Sequence, residues 1–299
     1  MAVVIDPTSR RLAYAALGGA GALWGASFLF GKIALEEMGA ASLVFYRFVL
    51  AAAVMLPFVR WRAITWGRTE IGLAMAGAVL AGPFVFLLQF EGLDRTTASS
   101  AALLVATAPP MLALGGTWLD RERPGRLAWI AVAVSAMGVL LLVGSPGPGR
   151  TLLGDGLVFA SMVAAVVWTL LARRLAHRIG PLATTAVQFA LGAVILLPFV
   201  LVLDGTPPLR FSSGVWTALL ALGLACTAVT FFLWNWGLMR VEAARAGVLG
   251  NMEPLVGTLL GVTFLGDRLG PLALIGGGFL LIAAVLATRS TDLEAEVRS

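Results

Sequence analysis

Apolar runs of about twenty residues follow one another along nearly the whole chain, each long enough to cross a bilayer as a helix. They predict ten helices, at approximately 12–35, 41–59, 70–90, 96–119, 126–143, 153–174, 181–203, 214–238, 243–264 and 271–288. The breaks are short and polar or rich in Gly and Pro: Arg60-Trp61-Arg62, Asp120-Arg121-Glu122-Arg123-Pro124-Gly125, Asp204-Gly205-Thr206-Pro207-Pro208. Period-3.6 amphipathicity is not needed to place these helices, because a helix hydrophobic all round is what lipid demands.

Composition sharpens the picture. Hydrophobic residues make up 59% of the chain, charged residues 12%, and the mean hydropathy is +0.93. A soluble domain carries about a quarter charged residues, so an all-α integral membrane protein with almost no extramembrane domain is predicted. With the N-terminus inside, alternate loops hold fifteen of the 21 Lys and Arg on the inner side and five on the outer, leaving Arg47 within a span. That asymmetry predicts cytoplasmic termini, with 289–299 as a cytoplasmic tail. Residues 1–9 lack a signal-peptide core, so the first span is expected to be an uncleaved helix. The net charge of +5 then faces anionic lipid, not nucleic acid.

The chain also repeats itself. Residues 92–123 align with 237–268 at an offset of 145, with ten of 32 positions identical, among them Gly92/Gly237, Arg95/Arg240, Pro109/Pro254 and Arg123/Arg268. Leu56-Pro57-Phe58 returns as Leu197-Pro198-Phe199, and Arg47-Phe48 as Gln188-Phe189, at an offset of 141. Two units are expected, 12–143 and 153–288. Five helices per unit is an odd number, so the second enters the membrane inverted. Such a pair leaves a cavity at its interface near the midplane. Gly18-Gly19-Ala20-Gly21, Gly115-Gly116 and Gly276-Gly277-Gly278 suit close helix packing, although Gly is common in membrane helices generally.

Several positions stand out within that frame. Glu253 falls near the centre of the ninth run, where an ionisable group is costly. It either lines a path, contacting a substrate ammonium or carrying a proton, or is a protonated group bonded between helices. Arg47 either meets a substrate carboxylate or snorkels to the outer interface or pairs structurally. The second reading is favoured, since seven residues from the end of its span is only about 10 Å. Trp24 and Trp168 are internal and roughly correspond across the repeats. With Tyr46, Phe84, Phe86 and Gln89 they line a cavity for large apolar or aromatic groups, or they are helix packing, which is the favoured reading for the phenylalanines. Asn235 and Gln89 hydrogen-bond a zwitterion or glue helices together. Gln188 and Ala108 stand where the other repeat has Arg47 and Glu253, so these roles are not symmetric. Pro83, Pro109 and Pro254 kink their spans, for gating or for static shape. Trp61, Trp66, Trp118, Trp129, Trp216 and Trp236 lie at span ends as interface anchors.

What the chain lacks narrows the classes. Cys226 is single and in an apolar run, which excludes a disulfide framework and a cysteine metal site. The one histidine, His177, sits in a polar loop. No metal ligand cluster, phosphate loop or paired intramembrane carboxylate is present, so neither an enzyme nor a metal or other cofactor is expected.

The motif Gly-Leu-x-x-[Thr/Val]-x-Ala through Leu-x-x-x-x-Pro to an acidic residue plus Arg, present twice, resembles the EamA-type repeat of the drug/metabolite transporter superfamily. Trp24-Gly25 with Lys32, Arg47-Phe48, and Met252-Glu253-Pro254 followed by Gly266-Asp267-Arg268 also match that unit. The resemblance covers essentially the whole chain. It implies a multi-pass secondary exporter of the bacterial inner membrane, similar to the amino-acid and aromatic amino-acid exporters. Its partners would be a small amphipathic substrate, membrane lipid and a proton if transport is coupled. No residue sets the oligomeric state, and a monomer suffices. Two other readings stay open: efflux of cationic drugs or polyamines, with Glu253 as the cation site, and a lipid flippase, which would want more intramembrane Arg or Lys than Arg47 alone.

Overall fold

The computed structural model describes residues 7–108, 111, 126–143, 149–207, 209–238, 240, 249–250 and 252–298. Pro109 and Trp118 lie outside the described residues. Helices account for nearly all the rest, and no strand occurs among the described residues. In chain order they are α1 (Pro7–Leu35), α2 (Ala40–Met55), α3 (Arg68–Asp94), α4 (Ala98–Val105) and α5 (Arg126–Val143). There follow α6 (Leu152–Ile179), α7 (Pro181–Leu203), α8 (Ser213–Leu220, continuing through Ala221–Val229 and Thr230–Leu238), α9 (Met252–Phe264) and α10 (Pro271–Arg298). Among the described residues, α1, α2 with its following turn, α3, α6, α7 and α8 are long and apolar enough to cross a membrane. The molecule is a multi-pass membrane protein.

Local chemistry sets the helix ends. Thr97, Thr151 and Ser212 cap α4, α6 and α8, their side-chain oxygens accepting from the N–H three residues on. The apolar run of α6 ends near 174, but Ala-Arg-Arg-Leu-Ala-His-Arg continues as good helix former. The helix stops only at Gly180, whose φ of +86° suits glycine, and Pro181 starts α7 at its first position. At the far end α10 runs on to Arg298, so the segment expected as a tail begins inside a helix.

Two helices carry a wide turn in the same place. Leu80–Leu87 of α3 and Ala221–Val229 of α8 are π-helical, and their starts differ by 141, the offset of the upstream repeat. Pro83 lies in the first of them and brings no N–H to its ladder. The expected kink at Pro83 is thus a π segment within a helix that continues to Asp94. In α8 hydroxyls do the equivalent work: Thr227 and Thr230 donate to the Leu222 and Ala225 carbonyls five residues back, at 2.6 and 2.7 Å. The expected kink at Pro254 of α9 lies outside the described residues, since 241–248 and 251 before it are not among them.

Packing follows a two-fold pattern. Helix α2 lies on α7, α4 on α9 and α5 on α10, each against its counterpart in the other unit; α1 lies on α8 as α6 lies on α3. That exchange is what two similar five-helix units about a pseudo-two-fold require. Helix α1 also lies on α9 through a glycine seam. A Cβ at Gly21 would meet the Leu249 carbonyl oxygen at 2.8 Å. One at Gly25 would sit 2.6 Å from the Glu253 carbonyl oxygen and 2.8 Å from the Gly257 nitrogen. Those are backbone atoms and cannot yield as a side chain does. Gly25→Val should therefore destabilise the protein by about 1–3 kcal/mol, whereas Gly19→Ala, with nothing within 4 Å, should not. Thermal unfolding of the purified variants in detergent measures this; equal melting of the two would refute the seam.

Candidate functional site

Arg47 is 1% exposed, two turns into α2. It reaches the π segment of α8, where Nε donates to Thr227 Oγ1 and Nη2 donates to the Cys226 carbonyl at 3.0 Å. Its guanidinium also lies over the Phe86 ring, 4.5 Å from the centroid. Snorkelling is excluded by this burial. Gly223 permits the approach, since a Cβ there would come within 2.6 Å of Leu50 Cβ. Nη1 is buried without a hydrogen-bond partner among the described residues. An orphaned donor of that kind costs about 1–3 kcal/mol, more for a charged group.

The repeat-equivalent position, Gln188 on α7, behaves in parallel. Its Oε1 accepts from Trp168 Nε1 at 3.0 Å, and its Nε2 is a second buried donor without a partner among the described residues. The amide lies against Gly77 of α3, where it occupies the space a Cβ would need. Between Arg47 and Gln188 the next residues of the repeat meet: Phe48 and Phe189 have ring centroids 4.6 Å apart. Phe86, Trp168 and Phe231 complete the cluster, with Trp168 at 5.8 Å from Phe86 and 5.2 Å from Phe231, and Phe231 at 5.1 Å from Phe189. Phe90 and Phe231 are themselves an offset-141 pair, and the Arg47 guanidinium is 5.4 Å from the Phe90 ring.

Trp24 joins from the α1 side, 5.0 Å from Phe231 and 4.8 Å from Trp234. Its neighbour Gly25 rests on the Glu253 backbone, which brings Glu253 to the edge of the cluster. Glu253 lies in α9, and the start of its expected run, 243–248 with 251, falls outside the described residues. Ala108, its counterpart, follows a turn at Ala106–Thr107 that ends α4. Arg47 and Glu253 are not in contact: no Glu253 oxygen comes within 4.0 Å of the guanidinium.

The remaining expected residues divide. Gln89 is buried on α3. Asn235 is engaged in helix packing, its Nδ2 donating to Thr185 Oγ1 of α7 at 2.9 Å. Tyr46 meets Phe45 and Phe211 edge to face, at 5.7 and 5.9 Å between centroids. Phe84 is 50% exposed and points out of the bundle, since residues two apart on a helix lie on opposite faces and Phe86 faces the cluster. Among the described residues, no group of three or more His, Cys, Asp or Glu is placed to hold a metal. Phe48, Phe90, Phe189, Phe231 and Thr227 were not singled out from the sequence. For the first four the offset of 141 was the available signal; Thr227 had none.

One end of the bundle is laced from unit to unit by carboxylates on helix N-termini. Asp204, after α7, accepts from the Ser42 N–H of α2 at 2.6 Å. Asp267, after α9, accepts from the Ser99 N–H of α4 at 2.8 Å. Glu37 accepts from the Ser212 N–H at 2.9 Å, and hydrogen bonding from Ser212 holds its carboxyl below the usual range. That contribution is present above the ordinary carboxylate pKa and fades as pH falls through the lowered value. Asp155 of α6 is 1% exposed, accepts from Thr96 Oγ1 at 2.6 Å and pairs with Arg150. Thr151 Oγ1 donates to the Arg95 carbonyl at 2.8 Å. Asp204, Asp267 and Glu37 each satisfy a backbone donor at a helix start of the other unit, and Asp155 takes a hydroxyl from it.

Comparison with known proteins agrees with this architecture. The EamA-like transporter family matches twice, at residues 11–144 and 152–289. An uncharacterized transporter of Archaeoglobus fulgidus is 30% identical over 278 residues, covering 89% of this chain and 93% of that one. The uncharacterized inner membrane transporter YicL of Salmonella typhimurium is 26% identical over 278 residues, covering 88% and 92%. A protein of known crystal structure shares the fold with a TM-score of 0.66 at 18% identity, over 94% of this chain and 98% of that one.

The laced end makes a prediction. Asp267→Ala removes a charge-assisted bond of about 1.5–3 kcal/mol, so a cysteine at the buried position Ala98 should react with a membrane-impermeant maleimide about 10- to 100-fold faster. Unchanged labelling would show that Asp267 does not hold this end together.

Proposed function

The chain belongs to the EamA-like transporter family, and from that premise we propose that it is a secondary exporter of small amphipathic metabolites, amino acids including aromatic ones. The observation that carries this reading is the aromatic cluster where α2, α3, α7 and α8 meet, at the crossing of the two units, with polar groups at its rim. Aromatic faces accept an apolar side chain by stacking and area burial, and the polar rim orients it.

Alternating access follows from the two-fold packing. Units 12–143 and 153–288 rock about the cluster, and the paired π segments of α3 and α8 supply the give, since a wide turn in a helix is a place where its ladder is already loosened. The laced end is the periplasmic one in the orientation that the Lys and Arg distribution favours, and it parts for release. Trp24, Trp168, Arg47, Gln188, Gln89 and Glu253 are the path residues in this reading, with Tyr46, Asn235 and Phe84 outside it. The name of the Salmonella relative supports an inner-membrane location. Glu253, an acid on α9 whose backbone packs on Gly25, favours a second reading, efflux of cations, which the same experiment separates.

Counterflow of labelled phenylalanine, threonine, lysine and a cationic dye into liposomes holding the purified protein tests the proposal. Saturable amino-acid flux is expected, competed by aromatic amino acids and reduced by Trp168→Ala about 10-fold or more, from the stacking and area that indole supplies. Flux of the dye alone would transfer the function to cation efflux. No flux of any solute would sink the transport reading.

A further inference from the structure

The two repeat-related helix crossings, α2 with α8 and α7 with α3, are not in the same register. Gly82 of α3 and Gly223 of α8 are an offset-141 pair, each the third residue of a π segment. A Cβ at Gly223 would meet Leu50 Cβ at 2.6 Å and the Arg47 carbonyl oxygen at 3.4 Å, both on α2. The counterparts of those two residues on α7 are Leu191 and Gln188. Gly82 faces neither. Its Cβ would meet Leu196 Cγ at 3.2 Å and the Gly192 carbonyl oxygen at 3.5 Å, about one turn further along α7. The same displacement shows at a second place. Gln188 lies against Gly77, whereas the Arg47 backbone lies against Gly223, whose counterpart is Gly82. The helix faces agree with this: α7 lies chiefly on Arg68–Val79, ahead of the π segment of α3, while α2 lies chiefly on Ala221–Val229, the π segment of α8 itself. Two similar sequences thus pack in two registers, about 6 Å apart, within one molecule.

We propose that these crossings are a coupled pair of sliding contacts, and that the protein changes state by exchanging their registers by about one helical turn. Small residues keep both positions open in both units. The sliding residue is glycine twice, at 82 and 223; its seat one turn on is Gly192 in α7 and Ala51 in α2. The exchanged molecule seats Gly223 on Ala51 and Met55, and Gly82 on Gln188 and Leu191. Arg47 is the latch of the present register. Its bonds to Thr227 Oγ1 and the Cys226 carbonyl hold α8 where it is and break when α8 moves. Gln188 has no such hold on α3: its Oε1 accepts from Trp168 of α6, and its Nε2 has no partner among the described residues. One crossing is therefore pinned and the other is free to follow. The proposal rests on the transport reading and deepens it, by naming the contact that moves.

The test uses the full chain in liposomes, with Cys226→Ala to remove the native thiol; that change keeps the carbonyl which Arg47 uses. Two cysteine pairs share one member. Gly82→Cys with Leu196→Cys reports the register seen here, and Gly82→Cys with Leu191→Cys reports the exchanged one. Positions 191 and 196 are about 7.5 Å apart along α7, and thiols join only across Cα distances below about 7 Å, so a fixed register joins the first pair alone. Under a mild oxidant, with the linked peptides read by mass spectrometry, both pairs should link, the Leu196 pair faster. Thr227→Val removes one bond of the latch and should speed linking of the Leu191 pair about 10-fold relative to the other. A variant without cysteines guards against misfolding of these pairs. Gly82→Ala has room in the present register but meets Leu191 in the exchanged one, so it should melt as the unaltered protein does and lower phenylalanine counterflow about 10-fold or more. Linking of the Leu196 pair alone in protein that carries out counterflow, or full counterflow by Gly82→Ala, would overturn the exchange of registers while leaving transport standing. Linking of both pairs in protein that moves no solute would sink the transport reading and leave the exchange standing.

Discussion

A guanidinium buried inside a membrane span must find its hydrogen bonds in protein, because lipid offers none. Arg47 finds two of them on the π segment of α8, and that requirement ties the two units together at their crossing. It fixes how closely α2 lies on α8, which is why residue 223 is a glycine. It also fixes where Phe86 and Phe90 stand, since both rings take the guanidinium on their faces. Removing Arg47 would therefore disturb packing as well as charge. Its role as an anchor and its role as a donor are separable only by atom: Nε and Nη2 hold, Nη1 is open.

The second unit solves the same problem with less charge. Gln188 is neutral, needs no carbonyl of a π segment and is satisfied on one side by an indole N–H. The pseudo-symmetry is thus a symmetry of backbone, helix pairing and aromatic rings, with polarity deliberately unequal. Equal arginines at the crossing would repel each other in a medium that screens poorly. One cation, one amide and one acid at its edge avoid that while leaving the site polar.

Charge is used differently at the laced end. There the acids are spent on helix N-termini, where four N–H groups are open and the aligned peptide dipoles favour an anion. A carboxylate on the opposing unit makes each such cap a link between units. These links are short, few and near water, so they hold an end without sealing it permanently. The interior cluster is apolar and tolerates sliding; the caps are directional and break as discrete events. The two kinds of contact suit a molecule that changes shape at its ends around a packed centre.

Apolar run length predicted helices, and α5 and α7 fall where the runs do, because a helix satisfies its own backbone hydrogen bonds in lipid. The offset of 141 marked Arg47-Phe48 and Gln188-Phe189 as equivalent, and the two phenylalanines meet at the crossing, but the offset by itself did not say that they would pack. Partner choice was not legible. Membrane helices are apolar on every side, so nothing along the chain separates Phe84, which faces outward, from Phe86, which faces the cluster. The π segment of α8 has no proline to announce it, and the capping partners of Asp204 and Asp267 lie 162 and 168 residues away. Sequence periodicity and repetition encode what each segment must do alone; which donor is left open depends on how all the segments close on one another.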